Sequence, residues 1–144
     1  GSMLAGINWV AANMTEDHWK RLGARLTAIG RTLNANGVAF GYHNHNLEFV
    51  RVGGRTGWDI LLAETDPAAV TFELDVGWVG AAGLDPAAVL AASPGRYKLL
   101  HVKDLKASTV ANTELRMDPT DVGSGKLDWA RVLPAAYAAG VREF

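Results

Sequence analysis

The chain has 144 residues, 49% of them hydrophobic and 20% charged, with sixteen Gly, five Pro and no Cys. That is the composition of a soluble globular domain, and a net charge of −1 leaves no basic footprint for nucleic acid or an anionic membrane. No apolar run reaches the ~20 residues of a membrane span, no signal peptide opens the chain, and without Cys there is no disulfide, thiolate nucleophile or Cys-ligated zinc, so a cytoplasmic protein is expected. Gly1-Ser2-Met3 reads as a cloning scar, leaving residues 4–144 as a single α/β domain. From Thr15 to about Asn36, Trp19, Leu22, Leu26, Ile29 and Leu33 recur at three- and four-residue steps and predict an amphipathic helix. Thr15 caps its start, Glu16 and Asp17 suit the positive end of its dipole, and Asn36-Gly37 stops it. Val38 to His43 reads as a short buried strand, Trp58 to Glu64 as a helix and Val70 to Val76 as a second strand. Asp85-Pro86 opens a helix from Ala87 to Ala91, and Tyr97 to Val102 is the next strand. A long polar loop runs from Asp104 to Lys126. The last helix spans Asp128 to about Ala139, with Trp129, Val132, Leu133, Ala136 and Tyr137 as its apolar face and Pro134 bending or shortening it. Residues 140–144 turn into one more strand.

Strands alternating with helices imply right-handed crossovers and a parallel sheet. Side chains alternate across a strand, so residues two apart share a face. This sorts the ionisable residues: His43 with His45, Glu73 with Asp75, His101 with Lys103. Each pair lies at the C-terminal end of a strand, where parallel α/β folds place ligand and catalytic groups. Taken singly, each has an ordinary structural use, a hydrogen-bonded strand-end His or a paired core carboxylate. Their joint placement at three strand ends is harder to call accidental. His and carboxylate without thiolate suit Zn²⁺, Mn²⁺, Co²⁺ or Fe²⁺, with Mg²⁺ less favoured. Gly123-Ser124-Gly125 would offer backbone N–H groups to an anion, although a loop end with Asp128 as helix cap explains the same residues. Of the helix-region tryptophans Trp58, Trp78 and Trp129, Trp78 is best placed to form a substrate wall, just beyond Asp75. There is no Ser-His-Asp arrangement and no dinucleotide fingerprint.

Gly41-Tyr42-His43-Asn44-His45-Asn46-Leu47-Glu48-Phe49, Phe72-Glu73-Leu74-Asp75-Val76-Gly77-Trp78, His101-Val102-Lys103-Asp104 and Val122 to Trp129 resemble the sugar phosphate isomerase/epimerase family. That family lies within the xylose-isomerase-like TIM-barrel superfamily, and the resemblance runs from about Thr15 to Phe144. It implies one divalent metal (Mn, Zn, Co or Mg) at the C-terminal mouth of the barrel, commonly held by Glu, Asp, His and Glu. Carried over, Asp75 matches the Asp and His101 the His; His43 falls where the first Glu would be, with His45 competing for that role. The last Glu would lie beyond Phe144. A complete (β/α)₈ barrel takes ~250 residues, so the fold expected is a partial barrel, roughly strands four to seven.

The enzyme implied moves a proton next to a carbonyl through an enediolate, acting on a sugar, sugar phosphate or related keto-polyol as isomerase, epimerase or dehydratase. Its base would be Glu48 or Glu73; Lys103 would stabilise an oxyanion, and Trp78 and His45 would contact the substrate beside it. The alternative is a catalytically incomplete barrel fragment that self-associates. Val38, Phe40, Phe72, Leu74 and Leu100 belong to strands expected to be buried on both sides, which a two-fold homodimer would satisfy. Such a dimer would bury more than ~2,000 Å² and bring in Glu143 as a replacement carboxylate. A metal-dependent endonuclease of the same superfamily is a third reading, and the net charge of −1 speaks against it.

Overall fold

A computed structural model describes residues 13–144. Helix α1 (Glu16–Asn34) starts at Thr15, whose hydroxyl accepts the His18 N–H while the His18 ring accepts the Thr15 N–H, a reciprocal cap with His in the usual place of Glu. Trp19 and Leu26 of the predicted stripe are buried and Leu22 packs against the core, but Gly23 and Gly30 complete the buried line and Ile29 is 39% exposed. The two glycines let α1 lie close against its neighbours: a Cβ on Gly30 would run into the Ala69 carbonyl, and one on Gly23 would meet the Glu64 side chain.

Strand β1 (Gly41–His43) begins later than predicted, because Val38 is 51% exposed and Phe40 only half-buried. A turn of 3₁₀ helix (Leu47–Phe49) follows, then a small antiparallel pair, β2 (Arg51–Val52) and β3 (Arg55–Thr56), turned by Gly53-Gly54. Thr56 and Asp59 cap α2 (Gly57–Glu64) reciprocally. Strand β4 (Thr71–Asp75) runs directly into α3 (Val76–Ala81), a helix absent from the predicted elements. Then come α4 (Pro86–Ala92), β5 (Tyr97–His101), a pair β6 (Asp104–Leu105) and β7 (Pro119–Thr120) inside the expected polar loop, and α5 (Trp129–Ala139). Helix α5 continues through Pro134 to its predicted end, where Gly140 closes it with φ +103°.

The main sheet is parallel in the order β1-β4-β5. Beyond β5 the chain re-enters the sheet: Leu99 bridges Glu143 in parallel, and the Leu100 N–H donates to the Glu143 carbonyl. Strands taken in chain order as spatial neighbours make an arc of a barrel. One face of the arc is packed: Phe72, Leu74, Tyr97 and Leu100 are buried with Trp58, Ile60, Leu90, Val132 and Ala136 from the helices. Trp58 stands edge-on to Phe72 with ring centroids 5.0 Å apart. The opposite face carries Gly41, His43, Thr71, Glu73, Asp75, Leu99 and His101, of which only Asp75 is buried. The expectation of strands apolar on both sides is therefore corrected, since alternation leaves the inner face mostly polar. Among the described residues no helix is long and apolar enough to cross a membrane.

Candidate active site

Three neighbouring strands end at one place on the polar face. The register sets His43 of β1 beside Glu73 of β4, and Asp75 of β4 beside His101 of β5. Asp75 is fully buried and its Oδ2 is the hub: His101 Nδ1 and Lys103 Nζ each lie 3.0 Å away, and His43 Nε2 lies at 3.3 Å. Its Oδ1 accepts the Trp78 N–H at 3.0 Å, which makes the last residue of β4 the N-cap of α3. Glu73 Oε2 meets His43 Nδ1 at 3.3 Å. Around the cluster, the His45 ring lies 5.6 Å from that of His43 and 5.3 Å from that of Trp78, and Lys103 Nζ sits 5.7 Å from the Trp78 ring.

Burial pushes the Asp75 carboxyl up, but hydrogen bonds from His43, Lys103 and the Trp78 N–H outweigh it and hold the pKa below the ordinary carboxylate value. The hydrogen bond to Asp75, aided by Glu73 and opposed by burial, raises His43. Burial and the neighbouring His43 lower His45. His43, Asp75 and His101 form a group able to hold a metal ion, their ligating atoms all within 4.8 Å of one another. Two imidazoles and a carboxylate suit a borderline divalent cation, so the residues present fit that group. His45 stands beside this trio, because β1 ends at His43 and strand alternation no longer governs residue 45.

Glu48 does not join the cluster. Only 4% exposed, it accepts the Tyr42 hydroxyl at Oε1 (2.8 Å) and the His45 N–H at Oε2 (2.9 Å). Burial pushes its pKa up against these donors. It braces the His45 turn, and Glu73 is the carboxylate that stands in the cluster. Two buried amides escaped the sequence reading. Asn44 accepts the Asp75 N–H at 2.9 Å and so ties the ends of β1 and β4. Asn46 donates to Asn112 and accepts the Leu115 N–H, fastening the loop before β7 to the turn that carries His45. Both lie past the end of β1, where alternation gives no signal, and as buried amides each must find partners.

The glycine loop does bind an anion, and the anion is internal. Asp104, fully buried, accepts the N–H groups of Leu105 and Leu127 at Oδ1 and those of Gly123, Gly125 and the Trp129 indole at Oδ2. Trp129 is thereby a hydrogen-bonded support, and Trp58 is core.

A barrel-type arc of parallel strands with an acid–imidazole cluster at its C-terminal ends defines an α/β protein built around a potential metal site. The chain belongs to the xylose isomerase-like TIM barrel family, whose model matches residues 3–143. The inosose dehydratase of Bacillus anthracis is 31% identical over 98 residues, covering 67% of this chain and 32% of that protein. That of Salmonella agona is 30% identical over 138 residues, covering 89% and 44%. A sugar phosphate isomerase/epimerase structure from Parabacteroides distasonis has a TM-score of 0.74 at 30% identity, covering 90% of this chain and 44% of that one. A xylose isomerase-like TIM barrel/4-hydroxyphenylpyruvate dioxygenase fusion protein has a TM-score of 0.62 at 19% identity, a likeness of fold alone. The chain spans less than half the length of these relatives, as a partial barrel requires.

Proposed function

We propose that the chain carries the metal-binding portion of an enzyme that moves a proton next to the carbonyl of a sugar, sugar phosphate or related keto-polyol. The observation behind this reading is the convergence of His43, Asp75 and His101, with Glu73 and Lys103 beside them, at three adjacent strand ends. A divalent ion held by the trio would polarise adjacent carbonyl and hydroxyl oxygens. The chain's own groups supply the rest. Glu73, the cluster carboxylate that is not the hub, takes the proton from the carbon beside the carbonyl. Lys103 offers its ammonium to the oxygen that gains negative charge. Trp78 and the His45 ring form one wall for the substrate. Return of the proton to the neighbouring carbon, its return to the other face of the same carbon, or loss of a hydroxyl as water separates isomerase, epimerase and dehydratase. The inosose dehydratase relatives favour the last, and the sugar phosphate isomerase/epimerase structure favours the first two.

Equilibrium dialysis against Co²⁺ tests the ligand set. Asp75→Ala and His101→Ala each lose most of the bound metal, whereas Glu73→Gln keeps it and loses at least about 100-fold in turnover of an inosose or ketose phosphate. Wild-type metal content in both ligand variants would remove this reading.

The second reading, a self-associating module, has its own support in apolar surface at the two ends of the arc: Val38 near β1, and the Tyr137–Phe144 ring pair beside the last bridge, 56% and 51% exposed. A two-fold homodimer in the cytoplasm accommodates both readings.

A further inference from the structure

We infer that Lys103 is the resident counter-ion of the candidate metal centre, and that a divalent cation binds by displacing its ammonium from Asp75. The inference rests on the metal reading above and adds an order of events to it. Asp75 offers a cation only Oδ2, because Oδ1 is committed to the Trp78 N–H that starts α3. Three groups already converge on Oδ2: His43 Nε2, His101 Nδ1 and Lys103 Nζ. The imidazoles have nitrogen lone pairs and turn from donors into ligands when a cation arrives. An ammonium has three N–H donors and no lone pair, so it cannot join the coordination and repels what does. Lys103 is therefore the group that leaves.

Its seat is built into the sequence. The Lys103 stem lies across Gly77 at the start of α3, where a Cβ would come within 2.9–3.0 Å of the stem's Cβ, Cγ and Cδ. Any larger residue at 77 closes that path. The Trp78 ring, 5.7 Å from Nζ, flanks the ammonium on the substrate side. Released from Asp75, Lys103 is free to meet an oxygen of the substrate. The metal-free site thus keeps its buried carboxylate neutralised, and the group that stabilises negative charge on substrate becomes available only once the cation is in place.

Co²⁺ binding, followed by visible absorption and calorimetry on the whole chain, tests this. Lys103→Met keeps the apolar stem and binds Co²⁺ about tenfold or more tightly than wild type, a difference of about 1.4 kcal/mol. Lys106→Met, which removes an equal charge from an exposed position, binds as wild type does. A second measurement needs no variant: on saturation with Co²⁺, the acylation rate of Lys103 rises relative to that of exposed Lys98. Unchanged or weaker binding in Lys103→Met, equal tightening in Lys106→Met, or a Lys103 acylation rate indifferent to Co²⁺ overturns the displacement while leaving the metal site standing. Absence of Co²⁺ binding in wild type and Lys103→Met alike overturns the metal reading and the displacement with it.

Discussion

Burying a carboxylate without an ion pair normally forces it to take up a proton, yet Asp104 is held ionised by five N–H groups. Burial raises its pKa, but the Trp129 indole and the backbone N–H groups of Leu105, Leu127 and Gly123 lower it further, for a net depression below the ordinary 3.8. An amide there would leave at least two donors without an acceptor in either orientation, so Asp104→Asn should destabilise the fold by about 2–4 kcal/mol. The sign with pH follows from the direction of the shift. A depressed folded-state pKa contributes stability above the unfolded value near 3.8 and loses it as pH falls through the folded one. Melting curves of wild type and Asp104→Asn should therefore differ most near neutrality and converge in acid; a gap constant down to pH 2 would contradict this. The sequence made the anion-binding geometry of Gly123-Ser124-Gly125 legible but not its occupant, because the carboxylate that fills it lies about twenty residues upstream on β6. Glu48 was misleading for the opposite reason: in a polar-looking turn it reads as available, and only the 3₁₀ turn that folds it under Tyr42 shows it to be occupied.

At the scale of elements, close approach governs where hydrophobic periodicity does not. Gly30 sits where α1 crosses the Ala69 backbone, so Gly30→Ala trades an intrinsic helix gain of about 1 kcal/mol for overpacking against a main-chain carbonyl. With overpacking of about 2–3 kcal/mol against the main chain set off by that gain, a net loss of about 1–2 kcal/mol is expected in urea unfolding, and a variant as stable as wild type would refute the packing argument. The three strands of the main sheet and four of the five described α-helices were legible from the sequence because alternation and spacing are local, whereas the two short antiparallel pairs were not. Glu73 and Asp75, two apart on β4, do reach one imidazole. Helix α3 was not legible: its cap, Asp75, is also the end of a strand, and two of its six residues are glycine. Half of the buried line of α1 escaped for a related reason: Trp19 and Leu26 were legible, but Gly23 and Gly30 carry no hydropathy to mark them.

For the whole molecule, the fold is an arc with a helix-covered face, a mostly polar inner face and two ends. Val38, Tyr137 and Phe144 expose apolar surface at those ends, as Val110 and Val122 do between β6 and α5, while the inner face is mostly polar, so the proposed homodimer should join ends rather than inner faces. Light scattering at micromolar concentration should give twice the mass of one chain, and Tyr137→Ser with Phe144→Ser should halve it; a wild-type monomer would dispose of the dimer. The inner face is what makes the arc useful, because Asp75 and Glu73 lie on the central strand while His45, Trp78 and Lys103 lie outside the sheet strands.

Strand β4, hydrogen-bonded on both sides, has a consequence in time as well as in space. Its amides can exchange with solvent deuterium only when β1 or β5 detaches, so residues 72–74 should be the slowest-exchanging of the sheet, and residues 41–43 on the flank faster. Glu73 and Asp75 then sit on the site's most durable part, while His45, Trp78 and Lys103, which would line the substrate, ride on segments that open more often.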